Sequence, residues 1–169
     1  MNDDALINTP FGAVAIAARG DQLAIELLPL THGNLAHADS VRIKKQSNNP
    51  LVMRACNQIA QYLRQPSVTF NLPLTQRGTA FQQVVWQAIA AIPLGQTRTY
   101  GALARLIGSG PRAVANACGA NNLPLLIPCH RVVAQNGIGG FMQGTQNGLL
   151  IKQWLLLHEG VRLDGVICE

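Results

Sequence analysis

The chain has 169 residues, 48% of them apolar and only 12% charged, where about 25% charged is usual. That length holds one domain or two small ones and buries a core without disulfide or metal staples. Low charge with high apolar content excludes a disordered chain. No apolar run in the sequence approaches the roughly 18–20 residues of a membrane span, so no membrane association is expected. The start, MNDDALINTPFG, lacks a basic segment followed by an apolar one and does not read as a secretory signal. Cys56, Cys118, Cys129 and Cys168 form no CxxC pair, which fits a reducing, cytoplasmic compartment.

The net charge is +5, but its placement says more than its total. No carboxylate side chain lies between Asp39 and Glu159, while residues 40–158 carry eleven of the 13 bases. Such a surface attracts polyanions. The missing acids exclude a two-metal nuclease or polymerase and a glycosidase built on paired carboxylates. Cys56, His32 and His37 do not fall at zinc-ligand spacing, so no metal is expected.

In chain order, residues 1–75 read as a small α+β domain. TPFGAVAIAARG and QLAIELLPL are apolar segments split by the turn dipeptide Gly20-Asp21, which predicts a hairpin. Residues 31–49 are polar and read as an exposed loop. NPLVMRACNQIAQYLRQP has helical spacing, with Leu51, Ala55, Ile59 and Leu63 on one face, Pro50 in the first turn and Pro66 as the stop. Cys56 is expected to pack inside that helix. SVTFNLPL reads as one more strand before the polar linker 75–79.

Residues 76–169 read as mostly helical. Thr79 can cap a helix whose apolar face is Phe81, Val84, Val85, Ile89 and Ile92. Thr99 can cap YGALARLIG, a Gly-containing turn follows, and RAVANACGAN (112–121) forms the next helix with Pro111 setting its first turn. Two short helices joined this way match a helix-turn-helix. The second helix is built from small residues, with Arg112 its one large cation. NNLPLLIPCHRVV (121–133) follows, in which Cys129, His130 and Arg131 are consecutive. A cysteine acts as a nucleophile only as thiolate, and imidazole or cationic neighbours favour that form. Residues 137–148 are rich in glycine but have neither GxGxxG nor a P-loop, so they read as a loop closing over a ligand. LLIKQWLLLHEG (149–160) is a last helix with a stripe of Leu150, Trp154 and Leu157. Glu159 sits in its last turn, against the helix dipole, so a buried partner such as His130 is expected.

IPCHRV (127–132), an upstream helix-turn-helix and a downstream HEG together resemble the O6-alkylguanine-DNA alkyltransferase family, over about residues 79–160. The first domain resembles that family more weakly, through TPFG and FNLPL. The resemblance implies an α+β fold: a small sheet-plus-helix domain (1–75), then a mostly helical helix-turn-helix domain (76–169) carrying the active-site cysteine. It implies DNA repair by one stoichiometric transfer of an alkyl group from O6 of guanine to Cys129, the nucleotide being flipped from the minor groove. His130 is similar to the water-mediated base, Glu159 to the acid orienting it, and Asn121 to the asparagine stabilising the turn before the active-site segment. Tyr100 is similar to the tyrosine that donates to guanine N3 and crowds the DNA backbone, and Arg112 to the finger filling the vacated stack. Ala113 and Ala117 are implied on the DNA face, with Val132, Phe141 and Met142 about the substrate pocket. The implied partner is double-stranded DNA containing O6-alkylguanine, bound by a monomer without cofactor. GFMQG (140–144) departs from the family's GYxxG by placing Phe141 where relatives have tyrosine. Two other readings of the residues stay open: a non-catalytic lesion-binding module, and a cysteine hydrolase using Cys129 and His130.

Overall fold

The computed structural model describes residues 4–30, 41–140 and 146–163. The chain divides into two compact units, Met1–Gln76 with Asn122–Pro124, and Arg77–Asn121 with Leu125–Glu169.

The first unit is a four-stranded antiparallel sheet, ordered β3-β2-β1-β4, with one helix packed on it. Strands β2 (Gly12–Arg19) and β3 (Gln22–Pro29) form the expected hairpin, Arg19 pairing with Gln22 across the Gly20-Asp21 turn. Strand β1 (Ala5–Thr9), which the sequence reading did not separate, pairs with β2 and buries Ala5, Ile7 and Thr9 on one face. Strand β4 (Arg42–Lys45) corrects the expectation of a loop over 31–49: it pairs antiparallel with β1 at the sheet edge. Its exposed Arg42, Lys44 and Lys45 carry no strand-like apolar pattern, and charge at an edge discourages further pairing.

Helix α1 (Pro50–Arg64) is capped by Asn49, whose side chain accepts from the amides of Leu51 and Val52. Its buried face adds Val52, Cys56, Ala60 and Tyr62 to the expected Ala55, Ile59 and Leu63, while Leu51 is only half-buried. The strand expected over 67–74 is absent. Asn71 instead bonds through both backbone groups to the Gln58 side chain, and Phe70 packs its ring 5.5 Å from that of Tyr62. Pro73 could not donate to a ladder in any case. Residues 122–124 rejoin this unit: Ile25 N donates to Asn122 O, and Asn122 N donates to the buried Gln76.

The second unit opens with α2 (Ala80–Ala90). Thr79 and Gln82 form a reciprocal capping box. The buried face is Val85, Trp86 and Ile89; Val84, expected inside, is 47% exposed. Trp86 turns inward because its indole N–H finds a buried acceptor, the Ala117 carbonyl at 2.9 Å. Helices α3 (Tyr100–Ile107, capped by Thr99) and α4 (Pro111–Gly119) pack as the expected helix-turn-helix. Gly108 closes α3 in the left-handed region, φ 71°, where a side chain would be strained. Val114 and Ala117 of α4 point inward, leaving Arg112, Ala115, Asn116 and Gly119 outside.

Strand β5 (Arg98–Thr99) pairs in parallel with β6 (Val132–Val133), which sets Tyr100 beside the CHR segment. The last helix, α5 (Gln146–His158), reverses the expected stripe: Leu150 and Leu157 are 60% and 58% exposed. Its buried face is Ile151, Lys152, Leu155 and Leu156. Both faces are apolar, so periodicity alone could not choose between them. No helix among the described residues is long and apolar enough to cross a membrane.

Candidate active site

Cys129, His130 and Arg131 form one turn of 3-10 helix, reached through the apolar run 123–128. Leu125 within that run takes φ 76°, a left-handed conformation rare for leucine. The turn is tight, with Cys129 N donating to Ile127 O and Arg131 N to Pro128 O. It sends consecutive side chains in different directions. Cys129 meets Asn121 and Cys118, while His130 and Arg131 meet Glu159.

Asn121 follows α4 and donates from Nδ2 to the Ile127 carbonyl (2.9 Å) and to Cys129 Sγ (3.2 Å). One amide therefore ties the end of the helix-turn-helix to the cysteine turn and solvates the sulfur. Cys118, in the last turn of α4, comes beside it: Cys129 Sγ lies 3.8 Å from the Cys118 carbonyl. The neighbouring Cys118 side chain, with burial, holds the Cys129 thiol well above the ordinary thiol range, while Cys129 beside it lowers Cys118. Two adjacent thiolates would repel, so the two cysteines titrate as a pair and one ionises before the other. Asn121 and the Lys152 ammonium pull Cys129 the other way.

His130 and Glu159 are both buried, and His130 Nε2 lies 2.9 Å from Glu159 Oε2. Burial lowers the imidazole pKa despite the carboxylate beside it, so the ring is neutral near pH 7. A neutral ring facing a carboxylate carries its proton on Nε2 and leaves a lone pair on Nδ1. Nδ1 has no hydrogen-bond partner among the described residues. Arg131 holds the same carboxylate with two donors, Nε at 2.8 Å and Nη2 at 2.9 Å, and gives Nη1 to the Ile92 carbonyl at 2.7 Å. The buried partner expected for Glu159 is thus present, and Arg131 is a second that the sequence did not announce.

Because His130 is buried neutral, unfolding below its free-state value, about 6.5, lets it take up a proton that the folded chain resists. The unfolded state then binds more protons, so stability falls as pH drops through and below that value. Urea unfolding between pH 7.5 and 5.5 is expected to show this loss, and a His130→Gln chain a smaller one. Identical profiles for the two chains would rule out His130 as its source.

Lys152 is fully buried on a face of α5 whose other buried members, Ile151, Leu155 and Leu156, are apolar. Its ammonium donates to the carbonyls of Val132 (2.7 Å) and Gly140 (2.9 Å) and lies 5.8 Å from the centre of the Tyr100 ring. Burial lowers its pKa to about 8. Tyr100 donates its hydroxyl to the same Gly140 carbonyl at 3.3 Å. Burial and the two nearby cysteines raise the phenol's pKa, so it stays protonated. Gly139, φ 76°, packs against this ring, and a Cβ there would sit 2.9 Å from Tyr100 Cε2.

Tyr100, Val132, Lys152 and the start of the glycine-rich loop therefore gather beside the Cys118–Cys129 pair. Arg112 stands apart, exposed in the first turn of α4. Ala113 is half-buried, and the buried Ala117 side chain leaves the outward face altogether, correcting its expected place on a DNA surface. Phe141 and Met142 lie outside the described residues.

A family model for the 6-O-methylguanine DNA methyltransferase DNA-binding domain matches residues 80–161. The constitutive methylated-DNA–protein-cysteine methyltransferase of Bacillus subtilis is 36% identical, over 95% of this chain and 97% of its own length. The chain belongs to the methylated-DNA–protein-cysteine methyltransferase family. The family member of Methanosarcina acetivorans is 34% identical over 92% of this chain and 97% of its own. Among solved methyltransferases, the O6-methylguanine methyltransferase of Mycobacterium tuberculosis superposes with a TM-score of 0.69 at 31% identity, covering 91% of this chain and 90% of that one. The same protein in complex with DNA gives 0.70, covering 92% and 91%.

Proposed function

We propose that this methyltransferase-family chain repairs DNA by moving an alkyl group from O6 of guanine to Cys129, once per molecule. The observation that carries the reading is the linked set Asn121–Cys129 and His130–Glu159–Arg131, built on a helix-turn-helix that presents Arg112. Cys129 loses its proton to the His130 Nδ1 lone pair through a water. Its sulfur then attacks the alkyl carbon as the carbon–O6 bond breaks. The electron pair passes into the purine, and the protonated Tyr100 hydroxyl donates to N3. The Cys129 amide region and the Val132 backbone read the guanine edge. The product thioether has no hydrolytic exit, so turnover stops at one, and the displacement needs no cofactor.

The partner is double-stranded DNA bearing O6-alkylguanine, held by α4 in the minor groove by a monomer in the cytoplasm. Arg112, with Ala113 beside it, enters the stack as the nucleotide leaves. Arg112→Ala is expected to slow repair of duplex DNA by about tenfold or more, the scale of a lost contact worth 1–3 kcal/mol, while reaction with free O6-benzylguanine changes little. Equal losses on both substrates would remove the finger role.

The decisive test is intact mass after mixing the chain with excess duplex carrying one O6-methylguanine, followed by peptide mapping. One methyl group per chain on Cys129 is expected, with no further turnover. Tight lesion binding without a mass change would favour a lesion-sensing module, and repeated turnover a hydrolase.

A further inference from the structure

We propose that Cys118 and Cys129 form a peroxide-driven disulfide that reversibly masks the active-site thiol. Cys129 Sγ lies 3.8 Å from the Cys118 carbonyl, and each cysteine is close enough to the other to shift its pKa. A disulfide needs the two sulfurs to close to about 2.05 Å. Both sulfurs feel the buried Lys152 ammonium, which favours thiolate at whichever is deprotonated. Exposure divides the roles. Cys129 is buried, whereas Cys118 is half-buried in the last turn of α4 and meets a small oxidant first.

The chemistry balances in two steps. The Cys118 thiolate attacks hydrogen peroxide, the O–O bond breaks, and Cys118 becomes a sulfenic acid as hydroxide leaves and is protonated to water. The Cys129 sulfur then attacks Cys118 sulfur. The S–O bond breaks, and the departing hydroxide takes the Cys129 proton to give a second water. Two thiols are oxidised to one disulfide while one peroxide is reduced to two waters. A dithiol reductant reverses the bond, so the acceptor sulfur is kept from irreversible oxidation to sulfinic acid. The effect of the disulfide on alkyl transfer rests on the proposed function.

The test treats the full chain with hydrogen peroxide, blocks free thiols, and maps peptides without reduction. The expected result is a Cys118–Cys129 crosslinked peptide and a loss of two hydrogens per chain. Dithiothreitol should restore free thiols and most of the methyl-accepting capacity. Cys118→Ser should give no such link and accumulate sulfinic acid on Cys129; Cys118→Ala checks that result independently. A wild-type chain whose Cys129 reaches sulfinic acid as fast as in Cys118→Ser would overturn the proposal, as would linkage only to Cys56 or Cys168. A Cys118–Cys129 link in a chain that accepts no methyl group would uphold the disulfide and reject the alkyltransferase reading.

Discussion

Cys129→Ser is expected to abolish alkyl transfer completely while affinity for lesion-bearing duplex is retained. Serine keeps nearly the same volume in the buried site and can still accept from Asn121 Nδ2, so the turn holding it is not disturbed. What it lacks is a thiolate: the hydroxyl does not ionise near neutral pH, and it is a far weaker nucleophile than sulfur toward an alkyl carbon. Single-turnover transfer of a labelled methyl group, paired with a binding titration, separates the two effects. Transfer at the wild-type rate, or a methyl group mapped to another residue, would displace Cys129 from its role.

Glu159→Gln is expected to cost both stability and rate. The carboxylate is fully buried and accepts from Arg131 twice while facing His130 Nε2. Removing one partner of a buried ion pair leaves the other uncompensated, at about 3–5 kcal/mol. A glutamine amide group turned toward His130 would donate to Nε2, so the ring would carry its proton on Nδ1 instead. The lone pair proposed as the base disappears, and a lost general base slows transfer about a hundredfold or more. Urea unfolding and single-turnover kinetics read the two losses separately. A normal rate with reduced stability would make Glu159 structural only.

Much of the fold was legible because its signals are local. Asn49 was not named as a cap, but Pro50, Thr79, Thr99 and Pro111 marked helix starts that the structure keeps. Errors fell where local pattern was ambiguous. Residues 67–74 look like a strand by composition, yet find the Gln58 side chain in place of a ladder. Arg42–Lys45 look like loop, yet gain strand geometry from an edge that β1 provides. In α5 the stripe at Leu150, Trp154 and Leu157 is as apolar as the face that is buried, and only packing distinguished them.

At the site, sequence alone determined which groups are chemically able to act: a cysteine beside a histidine and an arginine, and one acid in an otherwise acid-free stretch at the end of a helix. It singled out Cys129, His130 and Glu159 as candidates because reactive side chains are few there, and the resemblance of IPCHRV and HEG to the alkyltransferase family implied their roles. Tertiary structure decided which of them touch. It set Cys129 against Asn121 and the Cys118 carbonyl, gave Arg131 to Glu159, and buried Lys152 where two backbone carbonyls needed a donor. None of these pairings is local in sequence. Each depends on a desolvated polar group finding the partner that offsets its burial, and that partner exists only once distant segments have packed.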